Sequence, residues 1–195
     1  MRFEANNWYH VYNQGNNKQP IFYEKENFLF FLSKIQGLSK QDFNIIAYCL
    51  MPNHFHFLIY TNFNSSEEVD KSGEYSRKLG SILSSYAKAM NKRYGRSGSL
   101  FRSKTKSKDL SLNSQSSERY VRTCFHYIHQ NPLKAGIAKT LSQWPFSSYR
   151  DYAGVRNGTL PNVKKGYKMI GFKDCKHFIE QSRRTLDPQL LEDIF

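Results

Sequence analysis

Residues 48–60, Tyr-Cys-Leu-Met-Pro-Asn-His-Phe-His-Phe-Leu-Ile-Tyr, leave a chain of this kind few ways to fold. Phe43, Ile45, Ile46, Tyr48 and Leu50 before, and Phe55, Phe57 and Ile59 after, form two β-branched and aromatic runs around a Pro52-Asn53 pair of turn composition. The pattern predicts two neighbouring antiparallel strands. Because side chains alternate along a strand, His54 and His56 emerge from one face and Phe55, Phe57 and Ile59 from the other. Two imidazoles so spaced have Cα atoms roughly 6 to 7 Å apart, within joint reach of one divalent ion. The strand offers half of a metal site. The plainer alternative is a pair of partly exposed, hydrogen-bonded histidines, and a third ligand has to come from elsewhere.

The flanking segments supply the other elements of an α+β domain. Residues 8–13 read as a first strand that stops at the turn composition Gln14-Gly15-Asn16-Asn17. Phe28, Leu29, Phe31, Leu32 and Ile35 recur at helical spacing within 24–36. Residues 62–73 are polar and read as a loop. Over 75–94, Tyr75, Leu79, Ile82, Leu83, Tyr86, Met90 and Tyr94 keep to one stripe, with Arg77, Lys78, Lys88 and Lys92 opposite it. A glycine-containing basic turn follows, then an edge strand over 100–112, whose lysines also discourage aggregation. Residues 113–117 offer capping chemistry for a helix over 118–130 carrying Val121, Cys124, Phe125 and Ile128. Pro132 places Asn131 at or just past its end. Residues 157–165 read as a loop and 174–184 as a short helix. The tail 187–195 is acidic and apolar, and is expected either to fold back near the basic groove and weaken DNA binding or to form a short helix that closes the fold or serves a dimer contact.

Charge narrows the partners. The 195 residues carry 29 Lys and Arg against 16 Asp and Glu, a net +13, which suits a polyanion such as nucleic acid. No acidic residue stands between Glu74 and Asp109, a segment that holds Arg77, Lys78, Lys88, Lys92, Arg93, Arg96, Arg102, Lys104, Lys106 and Lys108. Cys49, Cys124 and Cys175 are far apart and in no Cys-x-x-Cys arrangement, which argues against a disulfide framework and fits a reducing cytoplasm. No run approaches the roughly 18 to 20 apolar residues of a membrane span.

Met51-Pro52-Asn53-His54-Phe55-His56, the basic turn Asn91-Lys92-Arg93-Tyr94-Gly95-Arg96-Ser97-Gly98, Tyr127-Ile128-His129-Gln130-Asn131-Pro132, and Trp144-Pro145-Phe146-Ser147-Ser148-Tyr149 occur in that order. Together they resemble the single-tyrosine HUH transposases, and among them the REP-associated tyrosine transposases and their relatives. The resemblance runs from about residue 8 to 152, which sets a catalytic domain of 1–152 and a C-terminal extension of 153–195 packing on it. It implies a ferredoxin-like antiparallel sheet with helices packed on it, the HUH endonuclease fold. It also implies cleavage of single-stranded DNA beside hairpins, for transposition, through a 5′-phosphotyrosine intermediate. Carried over by position, His54 and His56 are the metal-binding histidines, Tyr127 the nucleophile and Asn131 the third ligand. Some relatives have Gln at that last place.

Two imidazoles and an amide oxygen suit Mg²⁺ or Mn²⁺ acting as Lewis acid. Arg77, Lys78, Lys88, Lys92, Arg93, Arg96, Arg102 and Lys104 are the expected DNA contacts, on a hairpin-bearing single strand bound by a monomer or homodimer in the cytoplasm. Tyr120, seven residues before Tyr127, is the rival nucleophile, and His126 and His129 are expected at the surface or on DNA. A non-cleaving hairpin-binding module is the alternative from another class. A metal hydrolase using activated water is weaker, since it would need more carboxylate or histidine ligands.

Overall fold

In the computed structural model, which describes residues 1–38, 43–63, 68–111, 117–184 and 186–192, the elements follow the order β1 (Trp8–Gln14), α1 (Lys25–Gln36), β2 (Phe43–Met51), β3 (His54–Thr61), α2 (Glu68–Arg93) and β4 (Lys106–Asp109). The strands form one antiparallel sheet in the order β2-β3-β1-β4. This is the ferredoxin-like arrangement: each helix crosses from one strand to a non-adjacent one, and β3 inserts between β1 and β2. The Pro52-Asn53 turn sets the register, with Met51 opposite His54 and Cys49 opposite His56.

Alternation along the strands divides the core in two. Tyr9, Val11, Phe55, Phe57 and Ile59 face α1 and α2, where Phe22, Phe28, Phe31 and Tyr86 close an aromatic core. Cys49, Met51 and Leu58 belong to a second core with Val121, Cys124, Phe125 and Ile128 of α3 (Ser117–Lys134). Thus α3 lies on the opposite face of the sheet from α1 and α2, and β2 is buried along its whole length.

β2 is an edge strand, and the Trp-Pro-Phe-Ser-Ser-Tyr segment covers its free side. Leu50 N donates to Phe146 O (2.9 Å), Ser148 N to Tyr48 O (3.0 Å) and Trp144 Nε1 to Leu50 O (2.8 Å). Backbone groups that could pair with another chain are thereby satisfied internally. Beyond it, α4 (Tyr149–Tyr152), α5 (Val163–Ile170) and α6 (Cys175–Ser182) add Tyr152, Ile170 and Phe178 to the second core. Asn162 and Asp174 cap α5 and α6 by accepting from Lys165 N and His177 N. Gly166 has no room for a side chain, because a Cβ there would lie 1.8 Å from Tyr152 Oη. Last comes α7 (Pro188–Glu192), with Asp187 3.7 Å from Arg119 of α3; residues 193–195 lie outside the described residues.

Several sequence expectations are corrected. α2 begins at Glu68, inside the expected loop 62–73, of which 64–67 lie outside the described residues. Its first turns are tied to the N-terminal segment, with Phe3 N donating to Ser72 Oγ (2.7 Å) and Ser76 Oγ to Met1 O (2.8 Å), contacts that periodicity cannot reveal. The edge strand is short: only Lys106–Asp109 pair as a strand, residues 100–102 meet Gly15 and its neighbours through isolated bonds, and Leu112 falls outside the described residues. Of the expected capping stretch 113–117, only Ser117 is described. α5 occupies the end of the expected loop 157–165. No helix among the described residues is long and apolar enough to cross a membrane.

Candidate active site

The face of the sheet beneath α3 carries a row of polar side chains set by strand register. Tyr12 of β1 stands opposite His56, Gln14 opposite His54, and Lys106 and Lys108 of β4 opposite Tyr12 and His10. Residues directly opposed in an antiparallel pair share a face. His10, Tyr12, His54 and His56 therefore belong with Lys106 and Lys108 on the α3 side, while Phe55 and Phe57 point away.

The helix supplies the rest. Pro132 removes one N–H from the last turn of α3, but the helix runs on through it to Lys134, and Ala135 N still donates to Asn131 O (2.9 Å). Asn131 thus has helical surroundings instead of the helix-ending position expected from sequence, and shares a face with Tyr127 one turn earlier. Within residues 123–132, Tyr127 alone is half-buried; its neighbours are buried. Its ring meets His56 edge-on with centroids 5.6 Å apart, and His10 at 6.4 Å. Tyr120 packs into the core on the same side of the sheet.

Hydrogen bonds fix which atoms face the centre. His54 Nδ1 donates to Asn53 Oδ1 at 2.6 Å, and Asn53 is oriented by its own Nδ2, which donates to Lys18 O (3.3 Å). The lone pair of His54 is therefore on Nε2. Asn131 Nδ2 donates to Tyr127 O (3.3 Å), which turns Asn131 Oδ1 toward His54 Nε2 at 3.5 Å. Two lone-pair atoms face one another, an arrangement that a cation between them satisfies. His56 lies beside this pair, its ring 4.9 Å from that of His54, and its Nδ1 is 2.9 Å from His10 Nε2. With Nδ1 of His56 engaged by a second-row residue, a cation would be held through Nε2. Among the described residues there is no group of three His, Cys, Asp or Glu side chains placed to hold a metal. The donor set is two imidazoles and one amide oxygen, and it fits Mg²⁺ or Mn²⁺, Mn²⁺ being the better match to imidazole.

Burial shapes the electrostatics. It depresses the pKa of His54, partly offset by Asn131, and that of His56 well below the ordinary histidine value, with His10 and His54 adding to the effect, so both imidazoles are neutral at neutral pH. Burial raises the Tyr127 phenol, and Asn131 opposes the rise. Lys134 Nζ stands 5.4 Å from the centre of the Tyr127 ring, a cation–π contact.

The cations expected to contact DNA fall into two places. Arg77, Lys88 and Lys92 are exposed on α2, behind the sheet; Lys78 is partly exposed there and pairs with Glu74. Arg93 pairs with Glu24 at 2.5 Å, and Arg96 donates to Tyr23 Oη (2.8 Å) and Gln19 Oε1 (2.5 Å). Gly95 and Gly98 in this turn have φ of 60° and 79°, values that favour glycine. Arg102 and Lys104 are exposed on the approach to β4.

His126 and His129 are not at the surface. His129 is fully buried with Nε2 2.7 Å from Ser148 Oγ, and His126 lies 3.3 Å from Ser182 Oγ. They join α3 to the C-terminal segments, a role signalled by His129 falling four residues after Phe125 in the apolar stripe. His10 is the site residue that sequence reasoning missed. Its period-two spacing to Tyr12 was visible, but only the β1–β3 register brings it to His56.

No protein-family model matches the chain, and no curated protein is similar to it in sequence. Among solved structures, it is similar to a REP-associated tyrosine transposase bound to a REP hairpin, at 15% identity and a TM-score of 0.57, over 83% of this chain and 94% of the other. That likeness establishes the shared fold: an antiparallel four-stranded sheet with helices on both faces.

Proposed function

We propose that this chain is a metal-dependent endonuclease and strand transferase of the transposase type, acting on single-stranded DNA beside hairpins with Tyr127 as nucleophile. The observation that supports it most is the meeting of a half-buried phenol with two neutral imidazoles and an amide oxygen turned toward His54 on one face of the sheet. The similar fold of a hairpin-bound tyrosine transposase adds to it. His54 Nε2, His56 Nε2 and Asn131 Oδ1 would hold Mg²⁺ or Mn²⁺, which supplies Lewis-acid polarisation of a phosphate oxygen.

The protein's own residues do the rest. His10 Nε2 lies 2.9 Å from His56 Nδ1; by accepting the Nδ1 proton it would keep the lone pair of His56 on Nε2. Tyr127 Oη attacks phosphorus, the P–O3′ bond breaks with its electron pair leaving on the 3′ oxygen, and the phenol proton passes to solvent while the 3′ oxygen takes one up. Asn131 favours the developing phenolate against the cost of burial. The 5′-phosphotyrosine conserves the energy of the broken bond, so a second 3′-hydroxyl can reverse the step without ATP. Lys106 and Lys108 at the β4 edge, with Arg102 and Lys104 before them, would hold the phosphates of a strand entering this face, and the α2 cations those of a hairpin reaching behind it.

Incubation with hairpin-bearing single-stranded DNA and Mn²⁺ should give a protein–DNA adduct that survives denaturation and is absent for Tyr127→Phe. Hairpin binding without any adduct would leave the non-cleaving module, and free 5′-phosphate ends without an adduct would indicate attack by water.

A further inference from the structure

Beyond Tyr127, the last turn of α3 opens into a cavity of about 570 Å³ to which the catalytic reading assigns no role. It lies between that turn, the stretch 139–142 and the segment after α6. Lys134, Lys139, Arg183 and Arg184 line it, all exposed, and no carboxylate does so among the described residues. Leu141 and Tyr149, both buried, give it an apolar floor, and Thr140 and Ser142 add hydroxyls. The wall is held in place: Gln130 Nε2, from buried Gln130 of α3, donates to Ser182 O (3.0 Å) and Arg184 O (2.9 Å), fixing the backbone that carries the two arginines.

A free inorganic anion has no use for an apolar floor, and an apolar ligand has no use for four cations. An anionic phosphate joined to a flat heterocycle uses both. Lys134 belongs at once to this cavity and to the surroundings of the Tyr127 ring, which puts the cavity one side chain away from that tyrosine. A strand presenting one phosphate to Tyr127 must carry further nucleotides away from it, and this cavity is the adjoining cationic recess.

We propose that the cavity seats a nucleotide of the single strand next to the scissile phosphate, with its backbone held by Lys139, Arg183 and Arg184 and its base over Leu141 and Tyr149. This rests on the reading of the substrate as single-stranded DNA, and it makes the segment after α6 part of the DNA-binding surface instead of a structural appendage.

The test uses full-length Tyr127→Phe protein without divalent metal, so binding is read apart from cleavage, with a fluorescein-labelled single-stranded oligonucleotide of mixed sequence followed by anisotropy across a salt series. Two variants are added: Arg183→Gln with Arg184→Gln, which removes charge, and Ser142→Trp, which fills the recess without changing charge. All positions are exposed, and thermal melting checks that each variant is folded. Both variants should weaken binding about tenfold, and the arginine pair should lower the slope of log affinity against log salt by roughly 1.4, or 0.7 for each lost phosphate contact. Unchanged affinity in both overturns the proposal. So does loss in the arginine pair with none in Ser142→Trp, which would mean a general field and not a seat. A deoxynucleoside monophosphate binding as tightly as the oligonucleotide would make this a free-nucleotide site and likewise overturn it. Adduct formation by the wild type is scored separately: normal adduct with unaffected variants defeats the seat alone, while weakened variants without any adduct defeat the nuclease reading alone.

Discussion

The two faces of the central sheet are made by alternate residues of the same strands, yet they do opposite things. On the α1–α2 side, β3 presents Phe55, Phe57 and Ile59 to Phe31, Tyr86 and Phe101, with ring pairs in close edge and tilted contact. On the α3 side, the intervening residues are His54 and His56, joined by His10 and Tyr12 of β1. Buried polar rings contribute less to folding than apolar ones, because each must recover in local hydrogen bonds what it loses in hydration. The comparison teaches a division of labour: the aromatic face holds the strands rigid, and the imidazole face can therefore keep neutral nitrogens facing an amide oxygen at fixed separation.

Substitutions on either side of one strand sharpen the contrast. The largest expected effect is Phe57→Ala, which removes a nearly fully buried ring and should cost about 3–5 kcal/mol of folding stability, measured by denaturant unfolding, with Mn²⁺ affinity of the folded fraction unchanged. His56→Ala, one residue away on the other face, should do the reverse: Mn²⁺ affinity by calorimetry falls about 100-fold, or about 2.7 kcal/mol, while the unfolding midpoint moves little. Equal losses of stability in both variants would break the division. The smallest effect is expected for His10→Phe, which keeps the ring stack with Tyr12 and His56 but deletes the hydrogen-bond partner of His56 Nδ1. Mn²⁺ binding should weaken about tenfold without loss of fold, a positioning effect at the low end for residues behind metal ligands.

How much of this could be read from the chain depended on whether the information was local. The hairpin, the face shared by His54 and His56, and the apolar stripe of α3 all follow from periodicities of 2.0 and 3.6. The α2–α3 split was not local: composition put the cations of residues 77–96 and the histidines in one protein, but only topology shows that α2 lies behind the sheet. Pro132 misled because its cost is confined to a last turn, where one missing N–H leaves Asn131 helical. His126 and His129 misled because polar type outweighed their position beside Phe125 and Ile128. His10 was out of reach until the pairing of β1 with β3 was known.

The account centres on one cation shared by sheet and helix. It is tested most directly by a crystal structure of the protein soaked in Mn²⁺, with anomalous scattering recorded at an energy selective for manganese. The account predicts a single strong peak roughly 2–2.5 Å from His54 Nε2, His56 Nε2 and Asn131 Oδ1, on the side that Tyr127 faces. Manganese bound elsewhere with this face empty, or bound by the histidines with the phenol turned away into packing, would contradict it.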